Sequence, residues 1–311
     1  MSPPAHRSRL IKQEAHRIGF DACGISKVRF LEDEARQLEV FLTEKKHGTM
    51  HWLENHFDKR TNPALLVEDA RSVISLIANY KPQPHHHQTP EAPKISTYAW
   101  GQDYHFVLKE KMRELSEFIY SNFGEVHLRI FVDSAPVMDK VWAKESGLGW
   151  IGKHTNLIRK GFGSWFFIAE IITDLELEPD GPVTDHCGTC TKCIDACPTD
   201  ALEPYKIDAT KCISYLTIEL KEEIPEALAS KTEGWSFGCD ICQQVCPWNS
   251  FSLPHETGWF SPNEFILKLS RGDWEELREQ EIKKLTKNSP LSRVKPDRLK
   301  RLFGKLLTPP R

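Results

Sequence analysis

No stretch of the sequence approaches the roughly 18 consecutive apolar residues that a membrane helix requires, so no helical span is expected. The N-terminal segment MSPPAHRSRLIKQEAHRIGFDACG has neither an apolar core leading to a small-residue cleavage site nor a twin-arginine signal, and a cytoplasmic location is expected. Cysteine is almost missing outside one short region: of nine, only Cys23 lies outside residues 187–246. Wholesale disorder is excluded by 40% hydrophobic and 27% charged residues. At 311 residues the chain exceeds what one hydrophobic core usually serves, so more than one packed unit is expected.

A strong excess of charge is also lacking. The net charge of −3 excludes a surface adapted throughout to polyanions, yet the average hides a local patch. From Lys283 to Arg311 ten basic residues face one acid, Asp297, so this segment is about +9 and the remainder about −12. Such asymmetry points to an anionic partner, with a solvated basic helix end as the plain alternative.

Spacing decides the job of the clustered cysteines. Cys187, Cys190, Cys193, Cys197 and Pro198 form C-x2-C-x2-C-x3-C-P, the run by which bacterial ferredoxins hold an iron–sulfur cubane. A second, looser run comprises Cys212, Cys239, Cys242, Cys246 and Pro247. In two-cluster ferredoxins the fourth cysteine of a run crosses to the other cluster. One [4Fe–4S] cluster is therefore expected on Cys187, Cys190, Cys193 and Cys246, the other on Cys212, Cys239, Cys242 and Cys197. Two C-P endings fit paired cubanes better than zinc, and disulfides are not expected without export. Cys23 reads as a small buried apolar residue.

Two clusters move single electrons, and residues before about 180 are free to form a catalytic domain. There, Arg71 to Tyr80 and His127 to Val132 read as strands, as does Trp165 to Ile172. A helix is predicted from Asp103 to Asn122, with Leu108, Met112, Leu115 and Ile119 at helical spacing and Gly124 as its stop. Pro82 to Pro93, including His85, His86 and His87, reads as a solvated loop rather than a metal site. Asp133 follows an apolar strand, where working groups are common in α/β folds; a partly desolvated carboxyl there could hold a transferable proton. Its structural alternative is to cap a helix starting near Val137. Gly147, Gly149 and Gly152 spell G-x-G-x-x-G, but after a predicted helix, which is the wrong context for a dinucleotide site. Close backbone approach to a cofactor or a sharp turn is expected instead, with Lys153 offering a cation to a ligand.

The segments GTMHWLENHFDKRTNP from Gly48, YAWGQDYH from Tyr98, VDSAP from Val132, GLGWIGK from Gly147 and CDICQQVCPWN from Cys239 together resemble epoxyqueuosine reductases over most of the chain. The resemblance implies an α+β fold: a cobalamin-binding α/β catalytic domain (1–178), a ferredoxin-like domain with two [4Fe–4S] clusters (179–255) and a short helical basic tail (256–311). It implies reduction of epoxyqueuosine to queuosine at the tRNA wobble position, a reaction that consumes two electrons and two protons and releases water. By resemblance Asp133 is the proton donor. His56, Ser96, Asp133, Leu157, Ser214 and Asp240 fall where the family contacts the corrinoid, with Arg60, Lys153 and His105 as further pocket residues. Asp103-Tyr104-His105 begins like the D-x-H-x-x-G motif of other cobalamin enzymes, but Leu108 occupies the glycine position, so base-off cobalamin without a protein histidine on cobalt is expected.

Arg293, Lys295, Arg298 and Arg301 are the expected grip on the anticodon stem. Many relatives carry further helical repeats, so a short form with a weaker or redistributed tRNA grip is expected. An external low-potential donor, no membrane partner and a monomer complete the expectations. The rival readings are a reductive dehalogenase-like enzyme and a plain ferredoxin-type carrier.

Overall fold

The computed structural model describes residues 3–304; Lys305 and Arg311 of the basic tail lie outside the described residues. Four strands form the central sheet in the order Ala22–Lys27, Ser72–Asn79, Phe166–Thr173, Leu128–Phe131, and every neighbouring pair is antiparallel. The second of these is buried along its whole length, because helices cover both faces. Alternation sorts its side chains. Ile74, Leu76 and Ala78 meet Ile11 of helix Pro4–Ile18 and Leu108, Met112, Leu115 and Ile119 of helix Tyr104–Phe123, while Val73 faces Val141 and Trp142 of helix Asp139–Glu145.

The long helix starts where the sequence predicts. Asp103 is its N-cap, accepting the His105 N–H at 3.0 Å, and Gly124 ends it with φ 83°. Asp133 caps nothing: helix Asp139–Glu145 begins after Met138, without a side-chain cap.

Two short helices, Lys192–Asp195 and Ile241–Gln244, each begin within a cysteine run and end just before its C-P step. Their C-caps, Ala196 and Val245, share φ −85° and ψ −7°, the local signature of an internal repeat. A parallel pairing of Trp235–Phe237 with Lys94–Ile95 ties this region to the N-terminal one.

The basic C-terminal segment is not a detached arm. Trp274, Ile282, Leu291, Leu299, Leu302 and Phe303 enter one core with Leu216 and Phe237, and Trp274 meets Phe303 edge-on at 4.5 Å. Apolar burial fixes these helices against the cysteine region, leaving much of their charge outward.

Candidate active site

Asp133 lies just past edge strand Leu128–Phe131, at φ 52°. This left-handed conformation is uncommon for a non-glycine residue and best tolerated by Asp and Asn. The turn is tight: Ser134 N–H donates to Val132 O at 2.5 Å. It lifts the carboxylate into solvent, with a side-chain exposure of 64%, so the expected partial desolvation is not met by the protein's own atoms.

Tyr104 Oη donates to Asp133 Oδ2 at 2.5 Å. Its ring is sandwiched between Phe167 and His105, each stacked at 4.2 Å, which fixes the direction of the hydroxyl. Burial and the adjacent Asp133 push the Tyr104 phenol far upward, so it remains a donor. His105 is anchored on Asp103 through Nδ1 at 2.7 Å and presents Nε2 to Asp133 Oδ2 at 3.8 Å. Asp103, not His105, caps the helix, and the His105 ring is turned toward Asp133.

Lys140 and Asp139, absent from the sequence reading, stand next to this group. The Lys140 ammonium donates to Thr155 O at 3.1 Å and Asn156 Oδ1 at 2.9 Å. Desolvation lowers its pKa, while Asp133, Cys242 and Cys212 act on it in the opposite direction. Asp139 is pushed up to about 7, first by desolvation and then by Asp133, and its Oδ1 is buried without a partner.

The cysteines separate into two neighbouring groups. Cys193 is pushed up to about 11 by burial and then by Cys246, with Cys187 and Cys190 also near. Cys212 is raised by burial and by the approach of Cys197, and Cys242 is pushed up to about 12 by burial and then by Cys212. The fourth cysteine of each run thus lies with the other run. All nine cysteines are free thiols. Cys23 is half-buried and packs against the main core, close to its expected role.

A zinc site requires closely spaced ligand atoms. Among the described residues only His47, His51 and Glu54 bring three ligand atoms within 4.8 Å of one another, and no three cysteines do. Four sulfurs on one zinc at about 2.3 Å would stand about 3.8 Å apart. The histidine group is a hydrogen-bond network: Glu54 Oε1 meets His47 Nε2 at 2.8 Å and His51 Nδ1 at 3.1 Å. Buried His47 Nδ1 has no partner, so it lacks the outer contact that a metal-bound histidine normally makes.

Ser96 and Asp240 come together from distant sequence. Buried Asp240 accepts from the Ser96 hydroxyl and, at 2.7 Å each, from Thr97 N and Thr97 Oγ1. His56 is exposed at φ 58°, and Ser214 is half-exposed beside Cys212.

Four of the expected residues are engaged within the protein itself. Arg60 is buried and spends its donors on Asn55 O at 3.3 Å and Trp52 O at 3.0 Å, so it shapes the loop that presents His56. Leu157 is 2% exposed and its side chain belongs to the core. Lys153 donates to Gly188 O and Cys190 O, in the first cysteine run. Arg298 donates to Leu216 O, Lys221 O and Glu222 O, closing the end of helix Ile213–Ile218. These residues are consumed by backbone carbonyls or packing, which residue type alone does not reveal.

The glycine motif is likewise structural. A Cβ on Gly149 would stand 2.1 Å from Ile158 O, and Gly147, at φ 73°, would put one 2.6 Å from Gly181 O. These glycines admit close approach of the chain to itself.

A paired-cubane region beside an exposed, hydrogen-bonded aspartate defines an iron–sulfur oxidoreductase. Residues 60–134 match the family model described as epoxyqueuosine reductase QueG, DUF1730, and residues 186–249 match the 4Fe-4S double cluster binding domain. The chain is 55% identical over 302 residues to an epoxyqueuosine reductase of Cellulophaga algicola, covering 97% of this chain and 98% of the relative. It resembles the crystal structure of an epoxyqueuosine reductase with an epoxyqueuosine-modified tRNA-Tyr stem loop at TM-score 0.86 and 28% identity, covering 94% of this chain and 79% of that one. The same TM-score, identity and coverages relate it to the Bacillus subtilis epoxyqueuosine reductase, in a structure whose catalytic aspartate loop is swung out of the active site. The chain belongs to the epoxyqueuosine reductase family. No helix among the described residues is long and apolar enough to cross a membrane.

Proposed function

We infer that this chain reduces epoxyqueuosine to queuosine in tRNA, using two [4Fe–4S] clusters and a cobalamin cofactor. One observation carries the reading: Asp133, held by Tyr104 and faced by His105, shares the Lys140 environment with Cys212 and Cys242. A proton source and the ligands of the second cluster thus border one site.

The residues fit a corrinoid there. His56 and Asp133 are exposed, and Asp139 Oδ1 is a buried atom lacking a partner. His56, Ser96, Asp133, Ser214 and Asp240 would hold it, Ser96 and Asp240 as a mutually fixed pair. When bound, cobalamin supplies strongly reducing chemistry at the epoxide.

The chain's own groups manage the protons. Opening the epoxide develops negative charge on its oxygen, and protonated Asp133 neutralises it there, help typically worth about 10²–10⁴-fold. Tyr104 occupies Oδ2 and leaves Oδ1 to carry that proton. Two electrons and two protons convert the epoxide to an alkene and water. Cys187, Cys190, Cys193 and Cys246 would hold one cluster and Cys212, Cys239, Cys242 and Cys197 the other, and these would supply single electrons from an external low-potential donor.

For tRNA, the reading assigns Arg293 and Lys295 the leading part. Arg293 is exposed, pairs with Glu219 at 2.7 Å and lies within the field of Asp133 and Tyr104. Lys295 is exposed and makes no ion pair among the described residues. Arg301 contributes from exposed pairs with Asp297 and Glu223 that exchange readily. Residues 1–178, 179–255 and 256–311 form the corresponding catalytic, cluster and tRNA-contacting units.

The test is anaerobic turnover of cobalamin-loaded protein with epoxyqueuosine-containing tRNA, followed by nucleoside mass analysis. Loss of one oxygen is expected. An unchanged nucleoside, with both clusters and corrinoid bound, would overturn the reading.

A further inference from the structure

Lys153 reaches into the first cysteine run. Its Nζ donates to Gly188 O at 2.7 Å and to Cys190 O at 3.0 Å. Both carbonyls belong to the loop that carries Cys187 and Cys190. The lysine is half-buried and makes no ion pair among the described residues, so its charge is solvated by carbonyl dipoles and left uncancelled.

The backbone holds the residue in place. Lys153 follows strand Trp150–Ile151, where Gly152 N–H donates to Asn156 O and Thr155 N–H to Gly152 O, each at 2.8 Å. Its own carbonyl accepts Tyr205 N–H at 3.2 Å. Tyr205 then reaches the other end of the same cysteine loop: its hydroxyl donates to Asp185 Oδ2 at 2.5 Å, while Asp185 Oδ1 accepts Cys187 N–H at 2.6 Å. A fixed cation and a fixed anion are thus laid against one cysteine loop through a common tyrosine.

We propose that Lys153 is a positioning residue for the first cluster, clamping the Cys187–Cys190 loop and raising that cluster's reduction potential, with Asp185 acting in the opposite direction. The inference rests on the two-cluster reading and deepens it. When a low-potential donor gives one electron to the oxidised cubane, the cubane gains one negative charge and no bond forms or breaks. A neighbouring cation favours the reduced form and an anion disfavours it, and nearby charge and hydrogen bonding are recognised determinants of cluster potential. Lys153 therefore eases electron entry at the first cluster. This accounts for a lysine directly after the glycine-rich segment: close chain approach at Gly149 lets the hairpin hold it against the cysteine loop.

The experiment is a redox titration followed by electron paramagnetic resonance on the full chain with both clusters, alongside iron counts, with dithionite as donor. Lys153→Gln keeps a hydrogen-bond donor without charge, Lys153→Met removes both, and Lys153→Arg keeps both. The glutamine and methionine variants should lower one of the two midpoint potentials and leave the other in place. The arginine variant should restore it, and Asp185→Asn should raise that same potential. Selective loss of one cubane from the methionine variant would support the clamp, and the glutamine variant then decides the charge effect. Wild-type potentials in a fully loaded glutamine variant would overturn the proposal. Wild-type protein unable to hold two cubanes would instead defeat the underlying two-cluster reading.

Discussion

Tyr104 Oη sits 2.5 Å from Asp133 Oδ2, joining the first turn of the longest helix to a left-handed turn after an edge strand. The bond holds the carboxylate in one orientation while leaving it open to solvent. Asp133→Asn should therefore keep tRNA binding but lose about 10²–10⁴-fold in turnover. Tyr104→Phe, which keeps the stack on Phe167 and removes only the hydroxyl, should lose less, about tenfold for one hydrogen bond. Single-turnover queuosine formation by mass analysis separates these outcomes, and equal losses would deny Asp133 its distinct role.

The crossing of the cysteine runs makes a prediction opposite to sequence proximity. Cys197→Ala should remove the cubane held by Cys212, Cys239 and Cys242, although Cys197 belongs to the first run. Cys246→Ala should remove the one held by Cys187, Cys190 and Cys193. Each variant should retain about four irons, one cubane's worth. Cys197→Ala combined with Cys212→Ala should lose no more iron than either alone.

Two arginines of similar appearance in the basic segment should behave differently from a nearby lysine. Arg298→Met removes charged donors from three carbonyls and should cost about 1.5–3 kcal/mol of stability in urea unfolding. Lys295→Ala should leave stability unchanged and make tRNA affinity less salt-dependent by about one phosphate contact. Arg293→Met should weaken tRNA binding and turnover together, since its guanidinium lies toward Asp133.

Asp139 sets a pH dependence of stability. Its folded-state pKa of about 7 exceeds the unfolded value of about 3.9, so folding takes up a proton at this site. The associated stabilisation is full below about pH 4 and is lost as pH rises to about 7. Lys140 and Arg60 oppose the effect of desolvation and Asp133. Asp139→Asn should therefore gain stability relative to the parent between pH 5 and 8, measured as the difference in urea midpoint. A constant difference across that range would deny Asp139 this titration.

The periodic and metal-binding features were legible in the sequence because they depend on local geometry. Leu108, Met112, Leu115 and Ile119 mark one helical face, and two C-P endings mark two cubanes whatever the rest of the chain does. The positions of Asp133 and the cysteines followed from motif and spacing. Lys140 and Asp139 escape a sequence reading because nothing in an Asp-Lys pair at a helix start signals that folding will bring Cys212 and Cys242 within electrostatic reach of Lys140.

By itself, then, the sequence determined the cluster chemistry, three of the four central strands, the long helix and the family; strand Ala22–Lys27 emerged only in the structure. Only the tertiary structure decided where individual charges are spent. Arg60 and Lys153 read as pocket cations and Arg298 as a tRNA contact, yet each is directed at backbone carbonyls contributed by a turn, a cysteine loop or a helix end. Long side chains on flexible stems take the partners that folding brings near, and those partners are set by chain segments up to 82 residues away.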